Sequence, residues 1–383
     1  MARRVTLVAW GSRGDVTPLV SLGRGLADAG DEVTVLASHD FASTVTEAGL
    51  RHAPFEISVR DAAQSRQGRA WLGGHRTLVG EARALERVLQ AFGEPLVHGL
   101  WRHTRAADLV VSGILTVDAC VSLTAARGQH HAMALLTPVM PSRRGPSTAA
   151  ALRPHGDCAL NAATGRLALA ASYRLLRLPG DEVRDRLGHP RSSPGWLHAQ
   201  LQRVPVVLGV SPTVVPPAPD QPLVHVTGYW PAHGWRLSPE QEEHVGARIL
   251  AARSAGTPVV YFGFGSMTGA DPRGTAELFV EAARHAGVHA IVGPGWSGLT
   301  RYLPDSPHLT VADDLPHEWL FSLCDAVVHH GGAGTTGSAI RAGVPQVVVA
   351  HMGDQPFWAR RVHRLGVATP PLRRWGLRAR HLG

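Results

Sequence analysis

Residues 326–336 read Ala326-Val327-Val328-His329-His330-Gly331-Gly332-Ala333-Gly334-Thr335-Thr336, and the order of residue types in that run decides the fold. A short apolar, β-branched run reads as a buried strand. The glycines after it let the backbone come close to a ligand. Gly337-Ser338-Ala339-Ile340-Arg341-Ala342, stopped by Gly343 with Pro345 beyond, reads as a short helix. Strand, glycine loop and helix start in this order suit an anion, because unpaired N–H groups and the positive end of the helix dipole point at it. Thr335 or Thr336 is expected to add a hydroxyl donor and to cap the helix.

A glycine loop alone is a weak signal, and its neighbours strengthen it. A second apolar run, Val347-Val348-Val349, leads to Asp354-Gln355. A carboxylate beside a primary amide suits sugar hydroxyls, the first accepting and the second both donating and accepting. A phosphate loop followed by a hydroxyl-reading pair suggests a nucleotide sugar. Adjacent residues at a strand end send their side chains opposite ways, so His329 and His330 make poor joint metal ligands. No Asp-x-Asp cluster offers a divalent site either, and no metal is expected.

The N-terminus repeats the pattern. Val5 to Trp10 reads as a strand, Gly11-Ser12-Arg13-Gly14-Asp15 as a loop, and Pro18 to Ala29 as a helix with Thr17 as cap and Gly30 as stop. Glu32 to Ala37 is the next strand. Such a βαβ opening belongs to a parallel, doubly wound sheet whose ligands lie beyond the carboxyl ends of the strands. Asp15 falls at such an end. Further along, Pro216, Pro217, Pro219 and Pro222 exclude a central strand. A second set of apolar runs starts at Val259-Val260-Tyr261-Phe262. The division expected is a first α/β domain at 1–215, a linker at 216–238 and a second α/β domain at 239–383.

Composition narrows the function. The 383 residues are 44% hydrophobic and 18% charged, as in globular chains. All 38 strong bases are arginine, which excludes Schiff-base lysine chemistry. The net charge of +8 comes from scattered arginines, without a basic run or a nucleic-acid motif, so no nucleic-acid partner is expected. A Rossmann oxidoreductase is disfavoured by the lack of a Gly-x-Gly-x-x-Gly opening. Cys120, Cys158 and Cys324 show neither metal spacing nor a disulfide framework, and a cytoplasmic location is expected. No apolar run approaches the ~18 residues of a spanning helix. Between Ala159 and Leu178 an amphipathic helix is expected, with Leu167, Leu169, Leu175 and Leu176 read as core packing rather than membrane insertion.

Residues 325–366, "DAVVHHGGAGTTGSAIRAGVPQVVVAHMGDQPFWARRVHRLG", resemble the donor-binding segment of the family 1 nucleotide-sugar glycosyltransferases, above all the bacterial natural-product and sterol branch. The resemblance implies a GT-B fold, two doubly wound Rossmann-like domains facing across a cleft. It also implies an inverting, metal-independent transfer of a hexose from a UDP- or dTDP-sugar to a hydroxyl of a hydrophobic small molecule, with no cofactor besides that co-substrate. Many relatives carry a histidine in Gly-His-x-x-Pro as the base. The antibiotic and sterol branch has Asp in Gly-Ser-Arg-Gly-Asp, as residues 11–15 do here, which implies Asp15 as the catalytic base. The fallbacks are Asp118 and His131.

The same resemblance implies donor contacts from Ser12, Arg13, Ser266, His330, Gly332, Gly334, Thr335, Asp354 and Gln355. It aligns Asp313-Asp314-Leu315-Pro316-His317 with the base-recognition loop. Asp314 falls where many relatives stack a tryptophan on uracil, so contacts around Leu315 and His317 are expected instead. Lipid-like acceptors in the family leave a peripheral membrane contact open. Relatives continue beyond the equivalent of Gly383 with a helix returning to the first domain, so a catalytically silent homologue that binds nucleotide sugar or assists a partner enzyme is the alternative reading.

Overall fold

The computed structural model describes residues 2–73, 75, 77–231, 238–295, 298–313 and 315–382. It resolves into two compact units, Met1–Ala62 with Ala82–His233, and Ala63–Glu81 with Gly234–Gly383. Each is built on its own parallel sheet, and the two are taken in turn.

The first unit holds β1 (Arg4–Ala9), β2 (Glu32–Ser38), β3 (Arg51–Phe55), β4 (Leu109–Ser112), β5 (His130–Leu135), β6 (Val206–Leu208) and β7 (Val224–Val226). Their order is β3-β2-β1-β4-β5-β6-β7. β1 pairs in parallel with β2 and β4 on either side. Its Val5, Leu7, Val8 and Ala9 are buried, as expected of a central strand covered on both faces. The strand order reverses between β1 and β4, which makes the carboxyl end of β1 the switch point of the sheet.

The helix after β1 differs from expectation. It runs Arg13–Asp28, with Ser12 as N-cap and Pro18 inside it, rather than starting at Pro18 behind Thr17. Asp15, at the third helical position, accepts a hydrogen bond from the Ser12 backbone N–H at 2.8 Å and starts the helix five residues early.

The expected helix at 159–178 extends over Ala159–Leu187 and stops at Gly188, in the left-handed region at φ +68°. Its buried stripe runs through Ala162, Gly165, Leu169, Tyr173, Leu176, Gly180 and Val183, a spacing of three or four. Leu167 lies off that stripe and is 70% exposed, which corrects its reading as a core residue. Behind the stripe Arg184 makes a bidentate pair with Asp118 of the helix Val117–Arg127, at 2.8 and 3.0 Å. The expected linker at 216–238 contains β7, which pairs with β6 at the sheet edge, where flanking prolines are tolerated. Residues 232–237 lie outside the described residues.

The second unit holds β8 (Val259–Gly263), β9 (His289–Val292), β10 (Leu309–Val311), β11 (Ala326–His329), β12 (Gln346–Ala350) and β13 (Leu372–Arg373), in the order β10-β9-β8-β11-β12-β13. The two sheets thus share one topology, and here the switch point lies between β8 and β11. One core cluster joins Phe262, Phe264, Met267, Phe279, Val292, Val349 and Met352 with Leu72. Leu72 comes from the helix Arg66–Leu72, so part of the first half of the chain belongs to this unit. The Arg374 guanidinium donates to the carbonyls of Leu72 and Gly73 and fastens that segment. Apolar runs alone give no sign of this arrangement.

Candidate functional site

In the second unit, β11 lies against β8 with Val328 opposite Phe262 and His329 opposite Gly263. That register brings the loops leaving the two strands together. His329 is fully buried; its Nδ1 accepts from the Gly331 N–H at 3.1 Å, and its Nε2 donates to Gln346 Oε1 at 3.0 Å. Both ring nitrogens are thereby engaged in shaping the loop.

His330 differs. Its Nδ1 is buried without a hydrogen-bond partner among the described residues. Burial pulls its pKa down to about 4, against a weaker upward pull from the Gly263 backbone, so the ring is neutral at pH 7. The glycines around it are required. Gly331 has φ +89°, and a Cβ there would stand 2.8 Å from Val348 Cγ1. A Cβ on Gly332 would stand 2.6 Å from His330 Nε2.

Gly332 also begins the helix Ala333–Ala342 as its N-cap. The helix starts four residues before the expected Gly337, and the threonines do not cap it. Thr335 lies within the first turn, and Thr336 is fully buried with an unpartnered Oγ1. Ala333, with φ/ψ-permissive glycines on both sides, lets helical geometry begin directly behind the turn. The first bond into this helix from its cap is Thr336 N–H to Gly332 O at 2.9 Å. The preceding N–H groups, Gly334 and Thr335 included, stay directed out of the helix end, where an anion is favoured. Ser266 lies in the short 3-10 helix Gly265–Ala270 that follows β8, half-buried beside this loop system.

After β12 the chain turns through His351 to Asp354-Gln355. Gln355 Oε1 accepts from the N–H groups of His351 and Met352 at 2.7 and 3.0 Å, which fixes the turn. Asp354 Oδ2 accepts from Trp358 Nε1–H at 2.7 Å. Half of the expected hydroxyl-reading pair therefore shapes its own loop. His351, which the sequence reading passed over, packs edge-on to Phe264 at 4.8 Å, and burial pulls its pKa down to about 3. Its place as the first residue beyond a strand was the available signal.

The aligned base-recognition loop is only partly described, since Asp314 lies outside the described residues. Leu315 turns its side chain into the core with Ile291 and Val327. His317 stacks on Phe321 at 4.5 Å with an interplanar angle of 13°, and its Nε2 lies 3.5 Å from the Tyr261 hydroxyl.

In the first unit, Ser12, Arg13 and Asp15 gather at the carboxyl end of β1. Asp15 is exposed, and its Oδ2 takes the Ser12 N–H at 2.8 Å and the Ser12 hydroxyl at 3.2 Å. Gly11, at φ +141°, lies directly against that carboxylate. Arg13 is half-buried.

Residues 287–374 match the family described as erythromycin biosynthesis protein CIII-like, C-terminal domain. A sterol 3-beta-glucosyltransferase of Aspergillus terreus is 30% identical over 382 residues, covering 95% of this chain and 26% of that protein. One of Arabidopsis thaliana is 29% identical over 391 residues, covering 96% of this chain and 60% of its own length. The crystal structure of glycosyltransferase VinC in complex with dTDP superposes with a TM-score of 0.58 at 20% identity, over 99% of this chain and 88% of that one. The fold is that of the GT-B glycosyltransferases, and the chain is similar in sequence to the sterol glucosyltransferases. It spans about a quarter of the length of the fungal relative and somewhat over half of the plant one.

The two fallback bases both lie inside the first unit, away from solvent. Asp118 is fully buried and held by Arg184. His131 gives its Nε2 to Ser112 Oγ at 2.8 Å, and burial pulls its pKa down to about 4. Among the described residues no group of three or more His, Cys, Asp or Glu side chains is placed to hold a metal ion.

Proposed function

We propose that this chain transfers a hexose from a UDP- or dTDP-sugar to a hydroxyl of a hydrophobic small molecule, with inversion and without a metal or other cofactor. The observation that carries the reading is the unpartnered His330 Nδ1 beside the open N-terminus of the helix Ala333–Ala342. A diphosphate suits this arrangement: N–H groups, the helix dipole and a neutral imidazole stabilise leaving-group charge together. Ser266, Gly332, Gly334 and Thr335 would line it, and Asp354 would meet the sugar. The sterol glucosyltransferase relatives and the dTDP complex of a related fold support hydrophobic acceptor and nucleotide in this reading. Asp15 would take the acceptor's proton late, once bonding to carbon has made the oxygen acidic. Ser12 and Arg13 would contact the donor from the same loop. Three free thiols fit a reducing cytoplasm.

The test is calorimetry with UDP and dTDP on wild type and His330→Ala. Loss of a buried phosphate contact should weaken binding by ~1.5–3 kcal/mol, roughly 10- to 150-fold. Unchanged affinity would remove His330 from the site.

We further infer a peripheral contact with anionic membrane. Leu152, Leu160 and Leu167 are 60%, 52% and 70% exposed. Leu160 and Leu167 share one face of their helix, being two turns apart. From residue 158 to 180 the sequence carries Arg166, Arg174 and Arg177 and no acid, with Arg174 paired to Glu86 and Arg177 to Asp181. Asn161 ties this helix to the loop after β5 by donating to the Arg143, Arg153 and Gly156 carbonyls, so the patch borders the ligand edge of the first sheet. None of the described helices is long and apolar enough to cross a membrane. Flotation with phosphatidylcholine–phosphatidylserine vesicles should carry the wild type. A Leu160→Ser, Leu167→Ser double variant should float at least about tenfold less, since each leucine withdrawn is worth ~1.5–3 kcal/mol at full burial. Equal flotation of the two proteins would refute the contact.

A further inference from the structure

The helix Leu78–His103 carries Glu81 in its first turn, and that carboxylate leaves its own helix and reaches a residue 272 positions away. Glu81 Oε1 accepts the Gly353 N–H at 2.8 Å. Gly353 is the residue before Asp354-Gln355 and holds φ +60°, the left-handed region. The loop is thus clamped from two sides: Gln355 Oε1 takes the N–H groups of His351 and Met352, and Glu81 takes the next one.

The segment that carries Glu81 is itself well fastened. Leu72 is 5% exposed within the core around Phe264, Met267 and Met352, and Arg374 holds the carbonyls of Leu72 and Gly73. The charge pattern bears on the same place. Burial and the neighbouring Asp354 both raise the Glu81 pKa, while the Gly353 N–H and His75 lower it. His75 Nε2 is buried without a partner among the described residues.

A helix-start glutamate normally serves its own N-terminus. This one instead sets the backbone of the turn that presents Asp354. We propose that Glu81 is a positioning residue of the donor site, holding the 353–355 turn so that Asp354 can read the hydroxyls of a nucleotide-linked hexose. This rests on the donor-site reading above. The segment Ala63–Glu81 then belongs functionally to sugar recognition, although it lies far from the glycine loop in the sequence. Nucleotide recognition, which rests on His330 and the helix end, does not pass through Glu81.

The experiment compares UDP with UDP-glucose, and dTDP with dTDP-glucose, by calorimetry on wild type, Glu81→Gln and Glu81→Ala. Thermal unfolding of each variant is measured alongside. Expected is a loss of roughly tenfold in affinity for the sugar nucleotides in Glu81→Ala, with UDP and dTDP affinities kept within about twofold. Glu81→Gln keeps an acceptor for the Gly353 N–H and should restore most of the loss. In turnover, Glu81→Ala should raise the donor KM more than it lowers kcat. Sugar-nucleotide affinity equal to wild type in Glu81→Ala overturns the proposal. So does an equal loss for nucleotide and sugar nucleotide, which would mark a structural role only. Failure of the wild type to bind any of the four ligands would overturn the donor-site reading, and this inference with it.

Discussion

Asp15→Asn is expected to lower kcat by about 10²–10⁴-fold, the range for removal of a general base, while nucleotide affinity stays near wild type. The substitution keeps the volume of the side chain. Its amide oxygen can still accept the Ser12 N–H that now reaches Asp15 Oδ2 at 2.8 Å, so the helix Arg13–Asp28 should start where it does. That matters because the carboxylate has two tasks here. It completes the helix cap, and it stands exposed at the switch point of the first sheet, where ligands of doubly wound sheets bind. The cap explanation alone predicts a variant as active as wild type. The chemical explanation predicts collapse of kcat with an unchanged unfolding midpoint. Steady-state kinetics with a phenolic or sterol acceptor, together with urea unfolding, separates them. The alternative is the silent-homologue reading, in which the carboxylate only caps the helix. If the wild type binds nucleotide yet transfers nothing to a broad acceptor panel, that reading prevails.

The second large effect concerns stability. Arg184 and Asp118 are 4% and 0% exposed in their side chains, with bonds of 2.8 and 3.0 Å between them. The guanidinium also lies 4.4 Å over the Trp196 ring. Burial pushes the Asp118 pKa up while Arg184 pulls it down, so each group depends on the other for its charge. Arg184→Ala leaves a carboxylate in the core without its partner and should cost ~3–5 kcal/mol of unfolding free energy. Asp118→Ala should cost a similar amount for the mirror reason. Urea unfolding followed by tryptophan fluorescence measures both. A change below about 1 kcal/mol would show that the pair is solvated, and would reopen Asp118 as a base.

The sequence made the second sheet legible because most of its strands are short, largely apolar runs. Val259–Phe262, Ala290–Val292, Leu309–Val311, Ala326–Val328 and Val347–Val349 all fall within β8 to β12. Two helices start earlier than the apolar pattern suggests, at Ser12 and at Gly332. An Asp three residues on and a bare glycine begin them ahead of the threonines nearest that pattern. The strand, glycine turn and helix of residues 326–342 were readable because apolar β-branched residues, glycines and a terminating glycine each leave a local mark. The part Gln355 plays in its own turn was not, since only the fold shows its side chain bonding the local backbone. Glu81 gave no local sign at all. Its meaning depends on a hydrogen bond to Gly353, which no periodicity reports.

The chain enters the second unit twice, once with Ala63–Glu81 and again from Gly234 onward. Anyone exchanging donor halves between relatives would naturally splice within the proline-rich stretch before Trp230. Such a hybrid would join the new half to a foreign copy of residues 63–81. Leu72 would meet a core shaped for another side chain, and a leucine-sized mismatch there costs ~2–5 kcal/mol. A working graft must therefore carry two pieces of the donor parent, the short early one included, and swaps at a single junction should yield insoluble protein more often than altered sugar preference.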